Sequence, residues 1–282
     1  MRRLFCILCI VFVPLLARGQ NSFRFTYLQQ QKRDVAGNSY RGSEMKLDFD
    51  GKSAFFYNEA SFLKDSLDVI AFDRNGNVAD EEAYGQRTRL SGSAPNDKSW
   101  IDFIGGSFTL YYFDVTAFYG TMPMEMPQWE LTDERDEQSG YQCKKACGVF
   151  LGREWTLWYT EEIPINIGPW LLWGTPGLIV YAEDSEGIVS FRLLGVERIG
   201  RARLDDDNSY RKTRESRPNS RVYVLPLKEM ETMHSRYRRD TEYFAKVNGI
   251  LYGLNRDGTA GGGWGKARPY IPLIPDAYWQ AK

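Results

Sequence analysis

Between Glu161 and Leu178 the chain carries three prolines, Pro164, Pro169 and Pro176, and three glycines, Gly168, Gly174 and Gly177. Proline has no amide hydrogen to give to a strand ladder and breaks a helix interior, so residues 163–177 can be neither regular element. The glycines permit the tight turns or close backbone approaches that such a path needs. Trp170, Leu171, Leu172 and Trp173 nevertheless sit at its centre, with more apolar area than a solvated loop carries. The segment is expected to be a rigid, non-regular crossover between strands, folded back as a plug that closes one end of a sheet. A second reading stands beside it, in which Pro164, Pro169, Trp170, Gly174, Pro176, Gly177 and Leu178 form a rim that meets a ligand or partner.

The flanks say what the crossover connects. Residues 141–150 and 154–160 read as two strands joined at Leu151-Gly152-Arg153. Residues 178–181 and 188–194 flank Glu183-Asp184-Ser185-Glu186-Gly187, which has the composition of a hairpin turn. Period-two alternation predicts further strands at 20–32, 45–50, 100–103, 107–113, 116–119 and 129–133. Residues 53–71 form either one helix capped by Ser53 or a strand followed by a shorter helix. Residues 73–98 read as a polar loop, and 227–247 as a helix on the spacing of Met230, Met233, Tyr237, Phe244 and Val247. The glycine-rich stretch 259–265 reads as a flexible loop and the proline-containing tail 269–279 as an extended segment. Strand, turn, strand without intervening helices argues for antiparallel pairing. The fold expected is mainly β: a strongly curved antiparallel sheet, a half-barrel whose concave face is covered by one or two helices.

The N-terminus has the three parts of a secretory signal: Arg2-Arg3, an apolar run from Leu4 to Leu16, and Ala17 and Gly19 before a cut at Gln20. The run is shorter than the roughly 20 residues that cross a bilayer as a helix, and no cysteine follows it for lipidation. Residues 1–19 are thus expected to be removed, leaving 20–282 as one domain located in the periplasm or at the outer membrane. Without Arg2, Arg3 and Arg18, 33 basic residues face 37 acidic ones, so no bulk positive field attracts nucleic acid. The arginines at 198–221, with Arg236, Arg238 and Arg239, form a solvated face balanced by Asp205-Asp206-Asp207, or a surface for an acidic partner or lipid headgroups.

Chemistry-bearing clusters are sparse. Cys143 and Cys147 survive signal removal, and an oxidising compartment favours their pairing. Residues four apart in a straight strand lie about 13 Å apart, against the roughly 7 Å limit between disulfide Cα atoms. A bond therefore requires a bulge or twist between them; free thiols or a metal pair are the alternatives. Met122, Met124 and Met126 share one face of an extended segment, and with thiolates of Cys143 and Cys147 from a neighbouring strand they would suit Cu(I). Methionines on a strand's buried face as core filler explain the same pattern. The single histidine, His234, has no triad partner nearby in sequence, and no phosphate-loop, nucleophile-elbow or zinc-protease motif occurs. No catalytic residue or cofactor is assigned, and an enzyme would need distant residues to converge.

Several blocks together resemble the GLPGLI family of secreted Bacteroidetes proteins: Gly140-Tyr141 with Cys143, Lys145-Ala146, Gly152-Arg153, Trp158-Tyr159-Thr160, Glu162-Ile163-Pro164, Gly168-Pro169-Trp170 and Gly174-Thr175-Pro176-Gly177-Leu178-Ile179. Thr175 stands where the name-giving hexapeptide has leucine. A weaker likeness covers 45–57. Some members are encoded beside TonB-dependent outer-membrane proteins, so the resemblance implies an envelope accessory or binding role with such a transporter as partner. The aromatic content, 17 Tyr, 16 Phe and 8 Trp, adds the expectation of an apolar ligand in an aromatic-lined cavity.

Overall fold

The computed structural model describes residues 22–33, 37–90, 97–113, 117–203, 222–239 and 272–281. The expected signal peptide, the Asp205–Asp207 cluster and the glycine-rich stretch lie outside them. In chain order the elements are β1 (Ser22–Lys32), β2 (Tyr40–Phe49), β3 (Ser53–Tyr57), α1 (Glu59–Ala71), α2 (Glu81–Leu90), β4 (Lys98–Asp102), β5 (Ser107–Phe113), β6 (Ala117–Pro123), β7 (Glu130–Gln138), β8 (Tyr141–Phe150), β9 (Arg153–Thr160), β10 (Leu178–Asp184), β11 (Val189–Ile199), β12 (Val222–Pro226), α3 (Leu227–Arg239) and α4 (Asp276–Gln280). Asn58, not Ser53, caps α1, its side chain accepting from the Ser61 amide at 3.1 Å. The polar stretch expected as a loop contains α2, and the tail expected to be extended ends in the short turn α4.

The twelve described strands join one sheet in the order β12-β6-β5-β4-β3-β2-β1-β11-β10-β9-β8-β7. Eleven are tied by antiparallel neighbours, while β12 runs parallel to β6 from Val222↔Ala117 to Pro226↔Thr121. This corrects the expected half-barrel: the sheet is mixed, open at β12 and β7, and not strongly curled. Local hairpin signals specify antiparallel neighbours only, and nothing local to residues 222–226 announces a parallel partner more than a hundred residues earlier.

Helices also lie on both faces rather than one. In β3, Ala54 and Phe56 belong to the main core while Phe55 and Tyr57 face the other way, packing on Phe62 of α1 at 6.4 and 5.3 Å between ring centroids. The period-two alternation of β3 produces both layers. Lys98 of β4 on this second face is almost wholly buried and pairs with Asp65 of α1. On the main-core face, Leu227 and Met230 of α3 pack against β6, where a Cβ on Gly120 would approach both at 2.7 Å.

Residues 161–177 link β9 to β10, which are adjacent and antiparallel, so the proposed crossover is a long hairpin connection. Trp170, Leu171, Leu172 and Trp173 are all buried in the main core. Amides of Gly174, Leu178 and Ile179 reach the carbonyls of Asn166, Ile163 and Ile167 at 2.9–3.0 Å, which satisfies backbone that proline withholds from a ladder. The Thr175 hydroxyl, buried, donates to the Gly177 carbonyl at 2.7 Å, a contact leucine cannot make. No described helix is long and apolar enough to cross a membrane.

Candidate functional site

The sequence-predicted residues fall in different places. Met122 and Met124 pack against the main core, whereas Met126 is 71% exposed. Cys143 and Cys147 lie on β8, whose neighbours are β7 and β9, while Met122 lies on β6 between β5 and β12. The neighbouring-strand arrangement imagined for a soft-metal site is therefore not what the sheet provides. Cys143 and Cys147 stand as free thiols, and the β8–β9 register runs unbroken from Lys144 to Phe150. The bulge or twist on which a direct bond depended is absent from that stretch.

Trp170 and Leu178 are buried rather than on a rim. The Trp170 carbonyl accepts from Ser99 Oγ at 3.2 Å, and its ring lies 6.0 Å from that of Trp155. Gly177 fits because a Cβ there would come within 1.9 Å of the Thr160 carbonyl oxygen. Gly174, at φ +88°, packs on Pro127. His234 is fully buried and stacks on Tyr112 at 4.4 Å with a 7° interplanar angle.

Among the described residues, three arrangements have chemistry in them. The first is a cavity lined by Gln29, Met45, Phe56, Asp97, Lys98, Ser99, Leu110, Tyr112, Trp170 and Leu273, with room for about one water. Behind it, Tyr112 Oη donates to Glu231 Oε1 at 3.0 Å. Burial, reinforced by Asp97 and Asp276 against the opposing Tyr112 bond, pushes the Glu231 carboxyl up to about 8.

The second is a groove of about 180 Å³ lined by Arg135, Gln142, Cys143, Lys144, Glu161 and Glu162. It lies beside the irregularity in β7 between Leu131 and Arg135. Lys144 Nζ pairs with Glu161 at 2.8 Å, and Glu162 accepts from the Gln142 amide at 3.0 Å. Burial pushes the Cys143 thiol up to about 11, which keeps it a poor nucleophile at neutral pH.

The third is the Arg153 guanidinium, 5% exposed at the start of β9. It donates to the carbonyls of Pro272 and Leu273, both at 2.7 Å, to Asp184 at 2.8 Å and to Glu186 at 3.1 Å. Asp184 is held in turn by the amides of Ile188 and Val189. Sequence reasoning missed Arg153 and Glu231, although both carry a signal. Arg153 shares the buried face of β9 with Trp155, Leu157 and Tyr159, and Glu231 follows Leu227 and precedes His234 at helical spacing on α3.

No family model and no curated protein sequence matches the chain, so the GLPGLI resemblance rests on the residues that carry it. Among solved structures, the chain is similar to PNGF-II in space group C2 (TM-score 0.49, 14% identity, 77% of this chain and 33% of that chain). The P21 form gives a TM-score of 0.48 at 14% identity, covering 77% and 34%. LolA superfamily protein NE2245 from Nitrosomonas europaea gives 0.22 at 8% identity, covering 64% and 70%. The chain thus spans about a third of the length of PNGF-II, and likeness at this level assigns no activity.

Proposed function

We propose that this protein is an exported accessory binding protein of the cell envelope that works with an outer-membrane transport system, and that it meets a protein partner at the charged groove of β7 and β8. The observation that carries this reading is the groove's size and lining. Small-molecule sites generally measure about 300–1,000 Å³ with mostly apolar walls. This groove is smaller, and Arg135, Lys144, Glu161 and Glu162 present both signs of charge around it. An acyl chain has no complement to those groups, whereas a polypeptide bearing charged side chains does. The described cavity beside Tyr112, with space for one water, likewise does not suit an acyl chain. The export signal and the GLPGLI resemblance supply the compartment and the class of partner.

The test is recovery of a TonB-dependent outer-membrane protein with the tagged chain after mild cross-linking of intact envelopes. Charge reversal by Arg135→Glu with Lys144→Glu should lower that recovery at least about tenfold, as expected for a loss of around 1.4 kcal/mol in binding. Arg135 is exposed but Lys144 is half-buried and paired with Glu161, so the melting curve of the double variant, expected to match that of wild type, separates lost binding from lost folding. Undiminished recovery would defeat the assignment.

A further inference from the structure

Beyond that groove, we propose that the Arg153 end of the sheet is a binding site for a bent, proline-flanked apolar peptide, which the protein's own residues 272–281 occupy as a displaceable strap. Arg153 recognises main chain: the Nε–Nη2 edge of its guanidinium donates to two successive carbonyls, of Leu273 and Pro272, while Nη1 donates to Asp184 and Glu186. Successive carbonyls point to opposite sides of an extended strand, so two on one guanidinium require the bend the chain makes at Leu273 and Ile274, and this contact selects backbone shape rather than one sequence. Proline suits the occupant because it brings a carbonyl without an amide donor that would need its own partner.

The receptor is shaped for close approach. Gly152, at φ +80° in the β8–β9 turn, lies so near the strap that a Cβ would meet Tyr278 Cβ at 2.7 Å and Pro275 Cδ at 3.2 Å. Leu273, Ile274 and Trp279 insert into the main core, and Tyr278 Oη donates to Glu125 at 2.6 Å. The fit has two flaws. Trp279 Nε1 is buried without a hydrogen-bond partner, and Leu273 borders the cavity with room for about one water. That unmade donor belongs to the strap, so an occupant whose aromatic side chain buries no unpaired donor avoids its cost. The partner this site fits is a segment with two successive carbonyls on one side of a bent backbone, aliphatic side chains in the Leu273 and Ile274 positions and an aromatic without a buried donor in the Trp279 position.

A tethered strap competes at an effective concentration in the millimolar range, so a peptide added in trans at micromolar concentration should not bind the wild-type protein. A fluorescently labelled peptide with the sequence of residues 272–282, PLIPDAYWQAK, is the probe. In the full-length Trp279→Ala variant, whose own strap is weakened, it should bind about a hundredfold more tightly than to wild type. A scrambled peptide should bind neither, and Arg153→Lys in the Trp279→Ala background should weaken the probe about tenfold, because lysine lacks the planar fork that serves the two carbonyls and Asp184 together. Hydrogen exchange of the wild-type protein is independent of whether any variant folds. The Tyr278 and Ala281 amides, bonded to Pro275 and Ala277, should open well before those of β9. Exchange of the strap only together with β9, or failure of the probe to bind folded Trp279→Ala, would make the strap permanent core and overturn the proposal.

Discussion

Glu231 on α3 is bound to Tyr112 on β5 through one carboxylate oxygen, at 3.0 Å, while its other oxygen is buried with no hydrogen-bond partner. An ionised carboxylate in that position would leave charge uncompensated, and Asp97 and Asp276 add repulsion. The protonated form is the one that fits. The contact of α3 with Tyr112 therefore favours the protonated carboxyl.

The consequence is a stability that falls with pH. The folded-state value of about 8 lies above the usual 4.5, so the native protein holds the proton where the unfolded chain has lost it. Stability from this group is full below about pH 4.5 and is lost as pH rises through about 8, at roughly 1.4 kcal/mol per pH unit within that window. Melting temperature measured from pH 5 to 9 should decline, and Glu231→Gln, which keeps an acceptor for Tyr112, should flatten the decline and stabilise the protein at pH 8. Parallel curves for wild type and variant would refute the buried proton.

Trp170 supplies a second test, because it is buried with φ +58°. Removing a buried tryptophan side chain costs about 3–5 kcal/mol. Glycine accepts a positive φ without the steric cost that alanine bears, a difference of about 1 kcal/mol. Trp170→Gly should therefore destabilise less than Trp170→Ala, the reverse of the order at an ordinary buried position. Equilibrium denaturation of the two variants checks the ranking. Equal midpoints would remove the backbone contribution, and wild-type midpoints in both would remove the anchor as well.

These sites show which parts of the fold were legible. The bounds of β5 and β8 were readable because apolar letters alternate between polar turns, and Glu183–Gly187 makes the turn its composition announces. α2 was not readable. Only Ala83 is buried in it, so it has no apolar stripe; Arg87 reaches Asp68 of α1 at 2.7 Å, and Tyr84 packs on Phe72. β12 was missed because its partner is distant in sequence. The burial of residues 170–173 followed from their area, but their service to a hairpin rather than a crossover depends on which strands pair. Candidate site residues were harder still, since Arg153, Asp184 and Pro272 meet only through the tertiary fold.

The cysteines give a third expectation. With β8 regular between them, non-reducing peptide maps of the envelope-isolated protein should contain Cys143 and Cys147 as unlinked thiols. Cys143 is 2% exposed and its thiol is pushed up to about 11, so it should resist alkylation at pH 8 until the protein is unfolded. A linked Cys143–Cys147 fragment would require β8 to bend, and would contradict the register with β9.

The sharpest test of the 161–177 connection is Gly177. A Cβ there would lie 1.9 Å from the carbonyl oxygen of Thr160 and 3.1 Å from the Cα of Glu161. Both obstacles are backbone at the point where β9 ends and β10 begins, so neither can yield by a change of rotamer. Gly177→Ala must push the two strands apart, breaking the start of the β9–β10 pairing at Leu178↔Thr160. Overpacking a well-filled site typically costs about 1–3 kcal/mol, and a clash with backbone belongs at or above the upper end. Gly195→Ala in β11 is the control: its Cβ would meet nothing within 4 Å, and its effect should stay within about 0.5 kcal/mol. Urea denaturation of the two variants side by side decides the matter. A Gly177→Ala midpoint as high as that of Gly195→Ala would show that β9 and β10 do not approach this closely, and would remove the reason for glycine at that position.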